Sequence, residues 1–87
     1  MNYSRVLRDL LTEMSVYNET DYGGGTERVK VEAFPRQGVV VATFKDEDQA
    51  YWFATDLLNH DISGDVSGRS VAVDEIELRD WEEMSPW

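Results

Sequence analysis

Asp48, Trp52 and Asp56 recur at four-residue intervals in DEDQAYWFATDLL, the stretch from Asp46 to Leu58. On a helix turning about 100° per residue this spacing puts all three on one side, nearly opposite an apolar stripe of Ala50, Phe53, Ala54, Leu57 and Leu58. Four residues rise about 6 Å, so carboxylates flank an indole at regular intervals, with Asn59 extending the polar row and Tyr51 beside it. The chemistry open to such a face is non-covalent. Carboxylates attract a basic groove, and tryptophan is enriched among residues whose loss costs about 2 kcal/mol or more of binding. Two plainer outcomes stand beside this one: a loop, a terminus or the first helix covers Trp52, or the acids merely solvate a helix face.

Two further segments combine acids with aromatics or turns. Glu19 and Asp21 lie in NETDYGGGT, and the C-terminal tail of residues 81–87, WEEMSPW, carries Trp81, Glu82 and Glu83 ahead of Pro86 and Trp87. Acidic, aromatic segments dock on basic or apolar grooves. The tail is equally suited to folding back over the sheet or over Trp52.

Bond-making chemistry finds little support. His60 sits beside Asp61, where a histidine caps helix carbonyls, and neither a cysteine nor a GxSxG elbow supplies a nucleophile. Carboxylate pairs such as Asp74 with Glu75, or Glu82 with Glu83, discriminate nothing in a chain with 18 acids. Gly23, Gly24 and Gly25 lack the Lys and Ser/Thr of a phosphate-binding loop and read as a connector. Asp61, Ser63 and Asp65 alternate as in a calcium loop, but its sixth and twelfth positions hold Val66 and Ala72 in place of glycine and glutamate. No catalytic residue, metal ligand or cofactor is expected. A regulatory ligand-binding domain would need an apolar pocket lined by Tyr51 or Phe53, and nothing in the sequence demands one.

Composition bounds the remaining choices. A chain of 87 residues holds one core, and 41% hydrophobic with 11% aromatic residues is enough to fold it. Eighteen Asp and Glu against eight Lys and Arg give a net charge of −10. That field repels nucleic acid and anionic lipid and draws in basic partners. Without cysteine, without an apolar run of about 18 residues and without a signal peptide at MNYSRVLRDLL, the expectation is a cytoplasmic protein, monomeric or homodimeric, that engages no membrane.

The elements that must position these residues are legible as periodicities. After Ser4 as N-cap, Leu7, Leu10, Leu11, Met14 and Tyr17 predict a helix over residues 4–17. Val29, Val31 and Ala33 alternate with Lys30 and Glu32 in a first strand, Pro35 and Gly38 turn the chain, and VVVATF from Val39 to Phe44 reads as the central strand. Asp46 with Gln49 forms a capping box for the second helix, which ends near Asn59 or His60. DISGDVSGRS reads as successive turns. Val71 and Val73 begin a third strand with a bulge at Asp74 and Glu75 before Ile76 and Leu78. The predicted architecture is a single α+β domain over residues 1–80, order α-β-β-α-β, with an antiparallel hairpin, a third strand and two helices packed on the sheet.

In size, charge and helix-hairpin-helix order the chain resembles the small acidic, cysteine-free inhibitors of phages and mobile elements, the anti-CRISPR and DNA-mimic anti-restriction proteins. The resemblance implies a non-enzymatic inhibitor whose acidic face occupies the nucleic-acid channel, or a neighbouring surface, of a defence nuclease complex in the host cytoplasm. It carries no residue-level motif, so Asp48, Trp52, Asp56 and the tail rest on the helical face alone. Duplex DNA bears a charge every ~1.7 Å of axis, whereas these acids spread over the second helix, the Glu19 and Asp21 loop, the last strand and the tail. The competing class is a small structural or regulatory subunit whose acidity serves only solubility.

Overall fold

In the computed structural model, which describes residues 1–84, Lys30–Phe34 (β1), Val39–Thr43 (β2), Gly64–Ser67 (β3) and Ser70–Asp74 (β4) form one antiparallel sheet in the spatial order β1-β2-β4-β3. Tyr3–Tyr17 (α1), Glu47–Leu58 (α2) and Glu75–Met84 (α3) cover one face of it. The domain is α+β as expected, with a fourth strand and a third helix added to the predicted order. No helix among the described residues is long and apolar enough to cross a membrane.

Strand alternation explains the layering. Val40, Ala42, Val71 and Val73 point to the helices and are fully buried, where they meet Val6, Leu7, Leu10, Leu11 and Met14 of α1, Ala50, Phe53 and Leu57 of α2, and Leu78 of α3. The α1 stripe is thus the predicted one, except that Val6 joins it and Tyr17 is exposed and meets His60 edge-on at 5.5 Å. The N-cap is Asn2, not Ser4: Asn2 Oδ1 accepts from the Arg5 amide at 3.1 Å, so the helix starts one residue before the expected boundary. Asp46 caps α2 as predicted, its Oδ1 accepting from the Gln49 amide at 3.0 Å.

The turn between β1 and β2 places Gly38 at φ 70°, the left-handed region foreseen for it, and pairs Phe34 with Val39. Val29 is buried just ahead of β1 rather than within it. Arg8 ties that approach to α1, donating to the Thr26 carbonyl at 2.8 Å and to the Val29 carbonyl.

Three expectations give way after α2. Leu58 is 63% exposed, so the buried stripe ends at Leu57. The segment read as successive turns contains strand β3, whose Ser67 pairs with Ser70 across a tight turn with Gly68 at φ 59°. Asp65, Val66 and Ser67 are all exposed on this edge strand, so burial gives it no alternation to read. The apolar phase change at Asp74 and Glu75 is the end of β4 and the start of α3, not a bulge, and the Glu75 amide donates to the Gly38 carbonyl at 2.9 Å. Residues 81–84 of the supposed tail are therefore helical, with Trp81 half-buried against the core. Pro86 and Trp87 lie outside the described residues.

Candidate functional site

The outward side of α2 is built from its first turn. Capping by Asp46 fixes where the helix begins, which fixes the angular position of every later side chain. Asp48 is exposed next to the positive end of the helix dipole, and the next turn presents two rings to solvent, Tyr51 at 59% and Trp52 at 55% exposure. The rings contact each other edge to face, centroids 5.5 Å apart and planes at 75°, a geometry that limits their rotamers before any partner arrives. Among the described residues, neither a loop nor a helix closes over Trp52.

Asp56 departs from the expected row. It is half-buried, and its Oδ2 accepts a hydrogen bond from the hydroxyl of Tyr22, which reaches α2 from the glycine-bearing loop. The Tyr22 ring itself is sealed in the core, edge-on to Phe53 at 5.4 Å and to Phe44 at 5.8 Å. Burial first, and then the Asp56 carboxylate, push the Tyr22 phenol far above its ordinary range. Asp56 therefore serves the fold, and the charge on this face comes from its neighbours.

One of those neighbours is Glu19. Asn18 and Thr20 border the same groove as Gln49, Trp52 and Asp56, which sets the end of α1 and the Glu19 turn beside the indole. Glu19 is exposed at φ 53°. Asp21 is exposed too, but its Oδ1 already accepts from the Gly23 amide at 3.0 Å. Asn59 is the exposed C-cap of α2, its amide donating to the Thr55 carbonyl at 3.1 Å.

The tail residues do not join this face. Trp81 lines a separate cleft with His60, Ile62, Glu77 and Met84, Glu82 is half-buried, and Glu83 and Met84 are exposed. Two apolar residues that the sequence did not place on this face lie near Tyr51 instead: Leu58, expected in the buried stripe, and Val66 border a shallow depression with it, both exposed. Adjacency to Leu57 gave no warning of Leu58's exposure, since neighbours can share a stripe, as the buried Leu10 and Leu11 of α1 do.

No protein-family model, curated protein or solved structure matches the chain.

Proposed function

We propose that the chain is a non-enzymatic inhibitor that occupies a basic protein surface, the nucleic-acid-binding surface of a defence nuclease complex, with the outer side of α2. One observation carries this reading: Trp52 stands in solvent, braced by Tyr51, on a helix whose first turn is acidic. Exposed indoles pack into partner pockets and slow dissociation, while a net charge of −10 steers a basic partner inward. Asp48 and Glu19 supply exposed charge on this side of the molecule, and Leu58 with Val66 adds an apolar border beside Tyr51.

Affinity capture from the native host, followed by surface plasmon resonance on the captured nuclease complex, tests it. Trp52→Ala should weaken binding by about 2 kcal/mol, roughly thirtyfold, mainly through faster dissociation. Association should slow as salt rises. Unchanged binding by Trp52→Ala would end the proposal.

A second reading, a small structural subunit of an assembly, is favoured by the sheet's other face. Phe34, Val39, Val41 and Ala72 lie there half-buried, and no helix of the described residues packs on them. Loss of assembly in Val41→Lys, with Trp52→Ala unaffected, would support this reading over the first.

A further inference from the structure

We propose that a pocket at one end of the sheet binds a small organic phosphate, with Arg28, Lys30, Lys45 and Arg69 holding the phosphoryl group. Half of the chain's eight cations line this single pocket, and no carboxylate side chain lines it. Everything outside it carries 18 acids against the remaining four cations, so the pocket is a local inversion of the molecule's field.

The four cations arrive from different segments, and the sheet register gathers them. Lys30 opens β1 and pairs with Thr43, the last residue of β2, which in turn pairs with Ser70, the first residue of β4. The Thr43 and Ser70 hydroxyls lie 3.1 Å apart at that end. Beyond them the Phe44 amide donates to the Arg69 carbonyl at 2.8 Å, and Arg69 Nη1 donates to the Lys45 carbonyl at 3.4 Å, which brings both side chains to the same rim. Arg28 comes from the turn ahead of β1. Lys30 is shared with Glu32, 3.6 Å away in an exposed ion pair of the kind that contributes little and yields readily to a better anion.

The wall opposite is the glycine loop. Gly23, Gly24 and Gly25 all have positive φ, at 88°, 139° and 110°, and a Cβ at Gly23 would come within 2.9 Å of Gln49 Cγ. The Tyr22 anchor on Asp56 and the Gly23 amide bond to Asp21 hold this bare backbone in place as part of the wall. Buried Tyr22, Val29 and Phe44 form an apolar floor. The volume, about 550 Å³, lies within the range of about 300–1,000 Å³ usual for small-molecule sites.

These features select the ligand class. Two guanidinium forks match the oxygens of a phosphoryl group, two ammonium groups add charge, and the floor accepts an organic moiety. A nucleic-acid strand would run from this pocket onto acidic surface and be repelled. The site uses none of the residues proposed to bind protein around Trp52, and its failure would leave the protein-binding proposal untouched.

Amide NMR of the full chain tests it, with adenosine 5′-monophosphate, ribose 5-phosphate and inorganic pyrophosphate as probes and adenosine and sulfate as controls at matched low ionic strength. At least one phosphorylated probe should shift the Gly23–Gly25, Arg28, Lys45 and Arg69 amides in a saturable way, while adenosine and sulfate do not. Arg28→Ala and Lys45→Ala, both at exposed positions, should each weaken binding about tenfold with the native spectrum retained. No saturable shift with any probe at millimolar concentration, shifts equalled by sulfate, or unchanged affinity in both variants would overturn the site.

Discussion

The hydroxyl of Tyr22 and the carboxylate of Asp56, 34 positions apart in the chain, meet between the glycine-bearing loop and α2. This bond divides the outer surface of α2 into two kinds of residue. Asp56 is engaged by the protein itself, whereas Trp52, one turn earlier, has no such hydrogen-bond partner among the described residues and is 55% exposed. It also fixes the loop that walls the basic pocket, so one contact sets the geometry of both surfaces.

The phenol gives the bond a pH signature. Burial and Asp56 raise the Tyr22 pKa in the folded state above its ordinary 10.0, so folding favours the neutral phenol. Its stabilisation is complete below pH 10.0 and is lost as the pH climbs from there towards the raised folded-state value, by at most about 1.4 kcal/mol per pH unit. Urea unfolding midpoints on either side of pH 10.0 should therefore fall more steeply for the wild type than for Tyr22→Phe. Equal slopes would remove Tyr22 as the source.

Removing the acceptor should cost more than neutralising it. Asp56→Ala leaves a hydroxyl on a buried ring without its partner, a loss of about 1–3 kcal/mol, while Asp56→Asn retains an acceptor oxygen and should cost less. Chemical denaturation at neutral pH orders the two. Equal costs would mean that the charge, which both variants remove, and not the hydrogen bond, holds the loop.

Elements announced by short-range chemistry were legible in the sequence. The Asp46 cap, the Leu7 to Met14 stripe and the Gly38 turn each depend on residues within a few positions of one another. Strand β3 hid because its exposed edge and its Gly, Ser and Asp composition are also those of a turn. Helix α3 hid because Leu78 is its one fully buried residue, Trp81 is half-buried and Ile76 faces water, too few apolar positions to show a period. On the candidate face, the exposure of Trp52 followed from helical angle alone. The fate of Asp56 did not, since its partner lies in another element, and the cations of the basic pocket meet only once the strands are in register.

Gly64 should resist even a methyl group. Its backbone is not in the left-handed region, so the constraint is space: a Cβ would lie 2.7 Å from Val71 Cγ1 and 3.2 Å from Leu57 Cδ1, where β3 meets β4 and α2. Gly64→Ala should destabilise by about 1–3 kcal/mol through overpacking. Gly68→Ala, with nothing within 4 Å but φ at 59°, isolates the backbone penalty of the turn for comparison. Thermal melts of both variants check the pair, and a neutral Gly64→Ala would show that β3 can move away from α2.

Two of the tryptophans should behave in opposite ways. Trp52 lies 55% exposed on α2, so Trp52→Ala should change unfolding free energy by no more than about 0.5 kcal/mol, as expected for a surface position. Trp81 is half-buried against the core in α3, and Trp81→Ala should cost about 1–3 kcal/mol, below the roughly 3–5 of a fully buried aromatic. Fluorescence separates them independently of stability: acrylamide should quench the wild type through an accessible indole whose contribution disappears in Trp52→Phe and persists in Trp81→Phe. A Trp52→Ala variant that fails to fold, together with quenching unchanged in Trp52→Phe, would place the indole in the interior and leave the outer side of α2 with acids but no anchor.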